Sequence, residues 1–236
     1  ELRIRTPTLL LDTGRARGNL ERMIARAAAM GVSFRPHFKT HQSLAVGRWF
    51  RQSGVEAITV SSVTMALYFA SDGWNDVTVA VPVNLRELDE LAALSETLDL
   101  GVLVDSAESV ESVDRRLTAS VKAWIKIDAG YHRAGIGWED EERLMAVAAG
   151  IRSATRLRFA GILSHNGLTY RETTREGIAE AHRTFMRRMR GVRVLLEEAG
   201  CTPCRISVGD TPSASVIDDA AGADEIRPGN FIFYDL

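Results

Sequence analysis

A chain of 236 residues is long enough to bury one substantial core, and a single α/β barrel would use nearly all of it. With 29 basic against 31 acidic residues the formal net charge is -2, and no long block of either sign occurs; this argues against nucleic acid or an anionic membrane as a partner and for a small-molecule substrate. No apolar run is long enough to span a bilayer and no signal peptide opens the chain, so the expected location is cytoplasmic.

In chain order, Thr8 to Leu11 reads as a short strand, and a helix is expected from Asp12 or Thr13 to Gly31. Strand-like runs follow at Val32 to Phe38, Ala57 to Val60, Val77 to Val81, Gly101 to Asp105, Ala123 to Asp128, Phe159 to Ser164, Arg205 to Val208 and Glu225 to Arg227. Amphipathic stretches lie between them, among them Ser43 to Gly54, Leu85 to Leu98 and the arginine-rich Arg175 to Ala199. Eight strand and helix units without a long linker predict a (β/α)8 TIM-type barrel; the G-x-G-x-x-G of a Rossmann fold is absent. Residues 13–230 would form the barrel. Residues 1–12 and 231–236, including the apolar Phe231 to Tyr234, are expected to belong to a C-terminal β-domain that this stretch largely lacks. The C-x-x-C of Cys201 and Cys204 follows a helix and precedes a strand, the reverse of a thioredoxin-type order, and reads as two reduced thiols in a loop.

Barrel chemistry sits at the C-terminal ends of strands. Of the five histidines, His37, His41, His132 and His165 fall there, while His182 reads as a solvated helix residue. The densest cluster is Arg35-Pro36-His37-Phe38-Lys39-Thr40-His41. Side-chain alternation puts Arg35, His37 and Lys39 on one face, pointing into the barrel, and the apolar set on the other. Three adjacent cationic groups with no acid among them call for an anionic ligand, and their mutual repulsion should lower the Lys39 pKa, which suits an amine that attacks a carbonyl. Lys126 and Asp128 alternate with Ile125 and Ile127 in the same way, ahead of the Tyr131-His132-Arg133 loop. The small-residue loop Gly209-Asp210-Thr211-Pro212-Ser213, with Arg227-Pro228-Gly229-Asn230 on the next strand, fits the phosphate site of such barrels.

Taken together, these residues resemble the D-threonine aldolase and D-serine dehydratase group within the alanine racemase-like, fold-type III pyridoxal-phosphate (PLP) enzymes, over nearly the whole chain. The Arg35-to-His41 segment is similar to the family's R-P-H-x-K-T-H, which implies that Lys39 forms the Schiff base with the cofactor and is the catalytic residue. The resemblance further implies cofactor contacts from His37, Arg133 (to the phenolic oxygen), His165, Tyr170, Gly209, Thr211, Gly229 and Asn230. It implies a lyase acting on β-hydroxy-D-amino acids, with a racemase also possible, and a homodimer. The family's metal ligands lie in its C-terminal domain, so no metal ligand is expected within this stretch, although a divalent metal is expected in the complete protein. Leu163 departs from a tyrosine common in D-serine dehydratases. Two other readings remain open at this point: a non-catalytic PLP-handling barrel, and a metal-dependent hydrolase built on His37, His41, His165 and Asp210.

Overall fold

The computed structural model describes residues 5–7 and 10–234. The sheet strands are β1 (Ser33–Phe34), β2 (Ala57–Val60), β3 (Asp76–Pro82), β4 (Asp99–Val104), β5 (Val121–Asp128), β6 (Ile136–Gly137), β7 (Leu157–His165), β8 (Arg205–Gly209) and β9 (Glu225–Ile226). All pair in parallel in the order β1-β9-β8-β7-β5-β4-β3-β2, with β6 a side branch on β5. The ring closes beyond β1: His37 bridges Thr59, Phe38 N–H donates to Thr59 O at 2.9 Å, and Thr59 N–H donates to Pro36 O at 2.9 Å. The extended segment therefore runs to Phe38, as its sequence predicts, and eight strands form the expected barrel.

Strands buried on both sides read as near-continuous apolar runs, and these do: Val121, Ala123, Trp124, Ile125 and Ile127 are all buried in β5 alone. The helices are α1 (Thr13–Ala29), α2 (Leu44–Gln52), α3 (Val63–Ala70), α4 (Leu88–Ser95), α5 (Ala107–Arg116), α6 (Glu141–Ser153), α7 (Arg175–Glu198) and α8 (Thr211–Val216). Asp12, Ser43, Ser62 and Thr174 start α1, α2, α3 and α7 by accepting a backbone N–H from the first turn. The stretch expected as one helix from Leu85 opens instead with a 3-10 turn, Leu85–Glu87, before α4.

Inside the ring, Leu103, Trp124 and Leu163 form an apolar cluster of their own, separate from the main core. This plug divides the lumen. Below it, at the strand starts, Arg35 donates to Glu225 Oε2 at 2.7 Å and to both oxygens of Asp76 at 2.7 and 3.0 Å. Lys122 bridges Asp76 and Asp99 at 2.6 and 2.8 Å. Arg35 does lie inside the barrel, but the reading of it as an uncompensated cation is corrected: its counterions come from β3 and β9.

Two further expectations change. Phe231 to Tyr234 is no strand: Asn230–Ile232 is a 3-10 turn, Phe231 and Ile232 are fully buried, and Asn19 of α1 donates to Ile232 O at 3.2 Å. Thr8 and Leu9 lie outside the described residues, and Leu10 and Leu11 have no regular structure. Among the described residues no helix is long and apolar enough to cross a membrane.

Candidate active site

At the C-terminal end of the barrel, above the plug, lies a cavity of about 230 Å³. His37, Lys39, Arg133, His165, Tyr170, Gly209, Gly229 and Asn230 all line it. Of the residues singled out for the site, Thr211 alone does not, but it adjoins it: its N–H donates to the Tyr170 hydroxyl at 3.2 Å. His41 and His132 do not line it. His41 packs against Phe38, Phe50 and Phe69 on the helix side of the wall, and His132 is exposed at a left-handed turn with φ of 58°, beside Asp128. The four-residue set needed by a metal hydrolase is thus not assembled, since His41 faces away.

The walls are cationic. Lys39, Lys126, Arg133 and Arg227 meet one carboxylate, Asp210, whose oxygens are taken by Ser213 N–H at 2.7 Å, Ser213 Oγ at 2.6 Å and Thr169 Oγ1 at 2.9 Å. Burial, then Arg133 and Arg227, push the Lys39 amine below its ordinary range. Burial pushes Lys126 down to about 7, with Arg227 and Arg133 adding to it. Arg227 is driven down to about 10, chiefly by burial, while it donates to Ser207 Oγ and Ser164 O at 2.7 Å each.

Both cavity histidines are held neutral. Burial first, then Lys39, takes His37 well below its usual value, and its Nδ1 accepts from Lys39 N–H at 3.4 Å, leaving the proton on Nε2. Burial and Arg133 bring His165 down to about 3; its Nδ1 donates to the Gly209 carbonyl, and its ring lies 5.8 Å from Tyr131 and 5.9 Å from Tyr170.

The strand-end loops leave room for an anion. A Cβ at Gly209 would stand 3.0 Å from both terminal nitrogens of Arg227, and one at Gly229 would stand 3.1 Å from His37 O and Thr40 Oγ1. Thr211 Oγ1 is buried without a hydrogen-bond partner. An unbonded hydroxyl next to a glycine turn backed by Arg227, beside a cavity that also carries the rings of His165 and Tyr170, fits a phosphate-bearing aromatic group such as PLP.

Residues 11–236 match the alanine racemase N-terminal domain family. The chain belongs to that family. It is 33% identical over 241 residues to the D-threo-3-hydroxyaspartate dehydratase of Delftia sp. (strain HT23), covering 100% of this chain and 63% of that protein. It is 30% identical to the D-threonine aldolase of Arthrobacter sp., covering 99% of this chain and 62% of the relative. The solved Delftia dehydratase superposes with a TM-score of 0.92 at 31% identity, over 99% of this chain and 62% of that one. An alanine racemase of Clostridium difficile shares the fold at a TM-score of 0.75 and 14% identity, covering 91% of this chain and 59% of that one. The chain thus spans about 62% of the length of the curated relatives it matches.

Lys126 and Arg227 line the cavity although neither was singled out as a cofactor contact. The signal for Lys126 was its alternation with Ile125 and Ile127; that for Arg227 was its place at the head of the Arg-Pro-Gly-Asn turn. Val81 and Pro82, also in the wall, carry no signal a sequence could show, being apolar ends of an apolar strand.

Proposed function

We propose that the protein is a PLP-dependent lyase of β-hydroxy-D-amino acids, with Lys39 joined to the cofactor's aldehyde carbon. One observation carries this reading: a lysine of lowered proton affinity opens into a cavity whose four cations outnumber the single carboxylate in its wall, itself taken up by Ser213 and Thr169. Relatives named for dehydration or aldol cleavage of D-hydroxy amino acids support it.

Thr211, Gly209, Gly229 and Asn230 would receive the phosphate, and His165 with Tyr170 would flank the ring. Bound there, PLP supplies a sink for the electron pair released at the substrate's α-carbon. The chain does the proton work. Once the substrate's own amino group has taken its place on the aldehyde carbon, Lys39 would be released as a neutral amine, free to take a proton from the α-carbon in dehydration or from the β-hydroxyl in aldol cleavage. Arg133 keeps a fixed positive charge near Lys39 and so favours that neutral form. His37 and His165, both neutral, add polarity without further charge. A divalent metal, held by residues beyond this stretch, belongs to the proposal; a cysteine variant of the Delftia dehydratase has been solved in a metal-free form. So does a homodimer, which would cover Val81 and Tyr170, exposed in the cavity wall at 37% and 49%.

The test is the visible absorption spectrum with added PLP, before and after borohydride, followed by mass analysis of the Lys39 peptide. A yellow protein that bleaches on reduction and carries a pyridoxyl mass on Lys39 supports the reading. A colourless, unmodified protein refutes it.

A further inference from the structure

Behind the phosphate end of the cavity lies a second, small pocket between α7, β8 and α8, lined largely by aliphatic side chains such as Val208, Ala214 and Ile217. Three polar residues face it: His182 of α7, Asp210, the residue that caps α8, and Ser213, which is bonded to Asp210. His182 is 2% exposed, and neither ring nitrogen makes a hydrogen bond of good geometry. This corrects the reading of His182 as a solvated helix residue. Asp210 is common to both pockets, so it separates His182 from the active cavity.

The turn that Asp210 governs is otherwise tightly held. Asp210 fixes the start of α8 through Ser213, and Arg26 and Arg175 take the carbonyls at its end, with Arg26 Nε donating to Ala214 O at 3.0 Å and Arg175 to Val216 O at 3.2 Å. The carboxylate accepts from donors only, which favours its ionised form, whereas burial disfavours any charge there. A phosphate arriving at Gly209 and Thr211 would add negative charge beside it; the cavity cations answer that charge from the front, and behind Asp210 the small pocket offers His182.

We propose that His182 is a positioning residue for the phosphate turn: it takes up a proton when an anion enters, and the resulting imidazolium offsets the Asp210 carboxylate from behind. The inference rests on the PLP reading above. Burial pushes the free imidazole down, the Asp210 carboxylate and the backbone at Ala220 draw it partly back up, and an anion added beside Asp210 draws it further toward the charged form. The other charged groups facing the pair are Asp219, which favours the imidazolium, Arg183, which opposes it, and Arg227, which senses Asp210 from the cavity side.

The experiment compares PLP with pyridoxal, which lacks the phosphate. Binding is measured by calorimetry at pH 7.5 in buffers of different ionisation enthalpy, so that protons taken up are counted. Both compounds engage Lys39 alike, and a bound phosphate would itself shed protons, so uptake with PLP beyond that with pyridoxal reports on the protein. The native protein should take up more protons with PLP than with pyridoxal. Lys126 in the cavity wall also takes up protons as the phosphate arrives, so His182→Gln should lower the difference rather than remove it, and should weaken PLP binding about tenfold, as a one-unit pKa coupling would, while leaving pyridoxal affinity unchanged; a variant that keeps the native difference overturns the proposal. Should His182→Gln not fold, the His182 ring is followed by NMR in the native protein as PLP is added: a shift to the imidazolium supports the proposal, and an unchanged neutral ring overturns it. Equal counts for the two compounds overturn the role of His182 and leave the PLP reading standing. Binding of neither overturns both.

Discussion

Arg35 and Lys126 are each 5% exposed inside the same lumen, on opposite sides of the Trp124 plug, and their surroundings differ in kind. Burial pulls the Arg35 pKa down, yet Glu225 and Asp76 outweigh it and hold the guanidinium above its ordinary value. Burial pulls Lys126 down too, but there Arg227 and Arg133 push the same way, Asp128 and Asp105 pull back less, and the residue falls to about 7. A buried cation answered by the chain's own carboxylates is part of the scaffold. One left among other cations is waiting for charge from outside the chain. The lower end of the barrel is therefore closed in its charges and the upper end open, which is the division of labour between stability and ligand that barrels of this type show.

Substitutions at the two ends should separate accordingly. The largest effect belongs to Lys39→Ala: activity of the complete enzyme on a β-hydroxy-D-amino acid should fall by roughly a thousandfold or more, while the urea midpoint does not fall, because among the described residues Lys39 makes no ion pair that the fold would lose. A loss of stability with activity retained would place Lys39 at the wrong end of the comparison. Arg35→Met should do the opposite. It leaves Asp76 to Lys122 and Glu225 to Ser207 but removes the cation they share, costing about 3 kcal/mol of unfolding free energy, and PLP affinity measured well below the unfolding transition should be unchanged.

The barrel was legible because its strands, buried on both faces, announce themselves as apolar runs closed by turns; the expected Val32 to Phe38 even anticipates the ring closure at His37 and Thr59. The cavity was legible because side-chain alternation sends His37, Lys39 and Lys126 inward. Alternation says which face, not which height, and so it placed Arg35 with Lys39 although the plug lies between their surroundings. The partners of Arg35 are 41 and 190 residues away in sequence, beyond any local pattern. His182 is legible as buried: His182, Phe185, Met186, Met189, Val192 and Leu196 follow helical spacing along the buried face of α7, a pattern that the reading of His182 as solvated does not use. Phe231 to Tyr234 has strand composition, yet α1 offers it a packed site and a hydrogen bond that an extended run would not use. Cys201 and Cys204 are buried free thiols in the loop before β8, as their order implies; burial drives Cys204 up to about 12, which keeps it unreactive.

The open end can be tested by pH. Lys126 has its pKa depressed in the folded state, so the protein loses stability as pH falls from the free-lysine value of about 10.4 toward 7 and loses no more below that. Lys126→Met removes the titration. In urea unfolding the variant should be more stable than the native protein at pH 6–7 by on the order of 2 kcal/mol, with the gap closing above pH 10, and added PLP should narrow the gap at neutral pH by supplying the missing counter-charge. A variant less stable than native at neutral pH would mean that Lys126 is answered within the chain after all.

The smallest effect has the most telling sign. Thr211 Oγ1 is buried and makes no hydrogen bond among the described residues, so the hydroxyl costs desolvation without return until an acceptor arrives. Thr211→Val keeps the shape and deletes the polar atom. Without cofactor the variant should unfold at the same urea concentration as native or slightly higher, by up to about 1 kcal/mol. With PLP it should bind about fivefold more weakly, as the loss of one hydrogen bond worth about 1 kcal/mol requires, and pyridoxal, having no phosphate, should show no such loss. Stability and affinity would then move in opposite directions at one atom, which a purely structural threonine cannot produce: deleting a hydroxyl that served the fold would lower stability and leave the distinction between PLP and pyridoxal untouched.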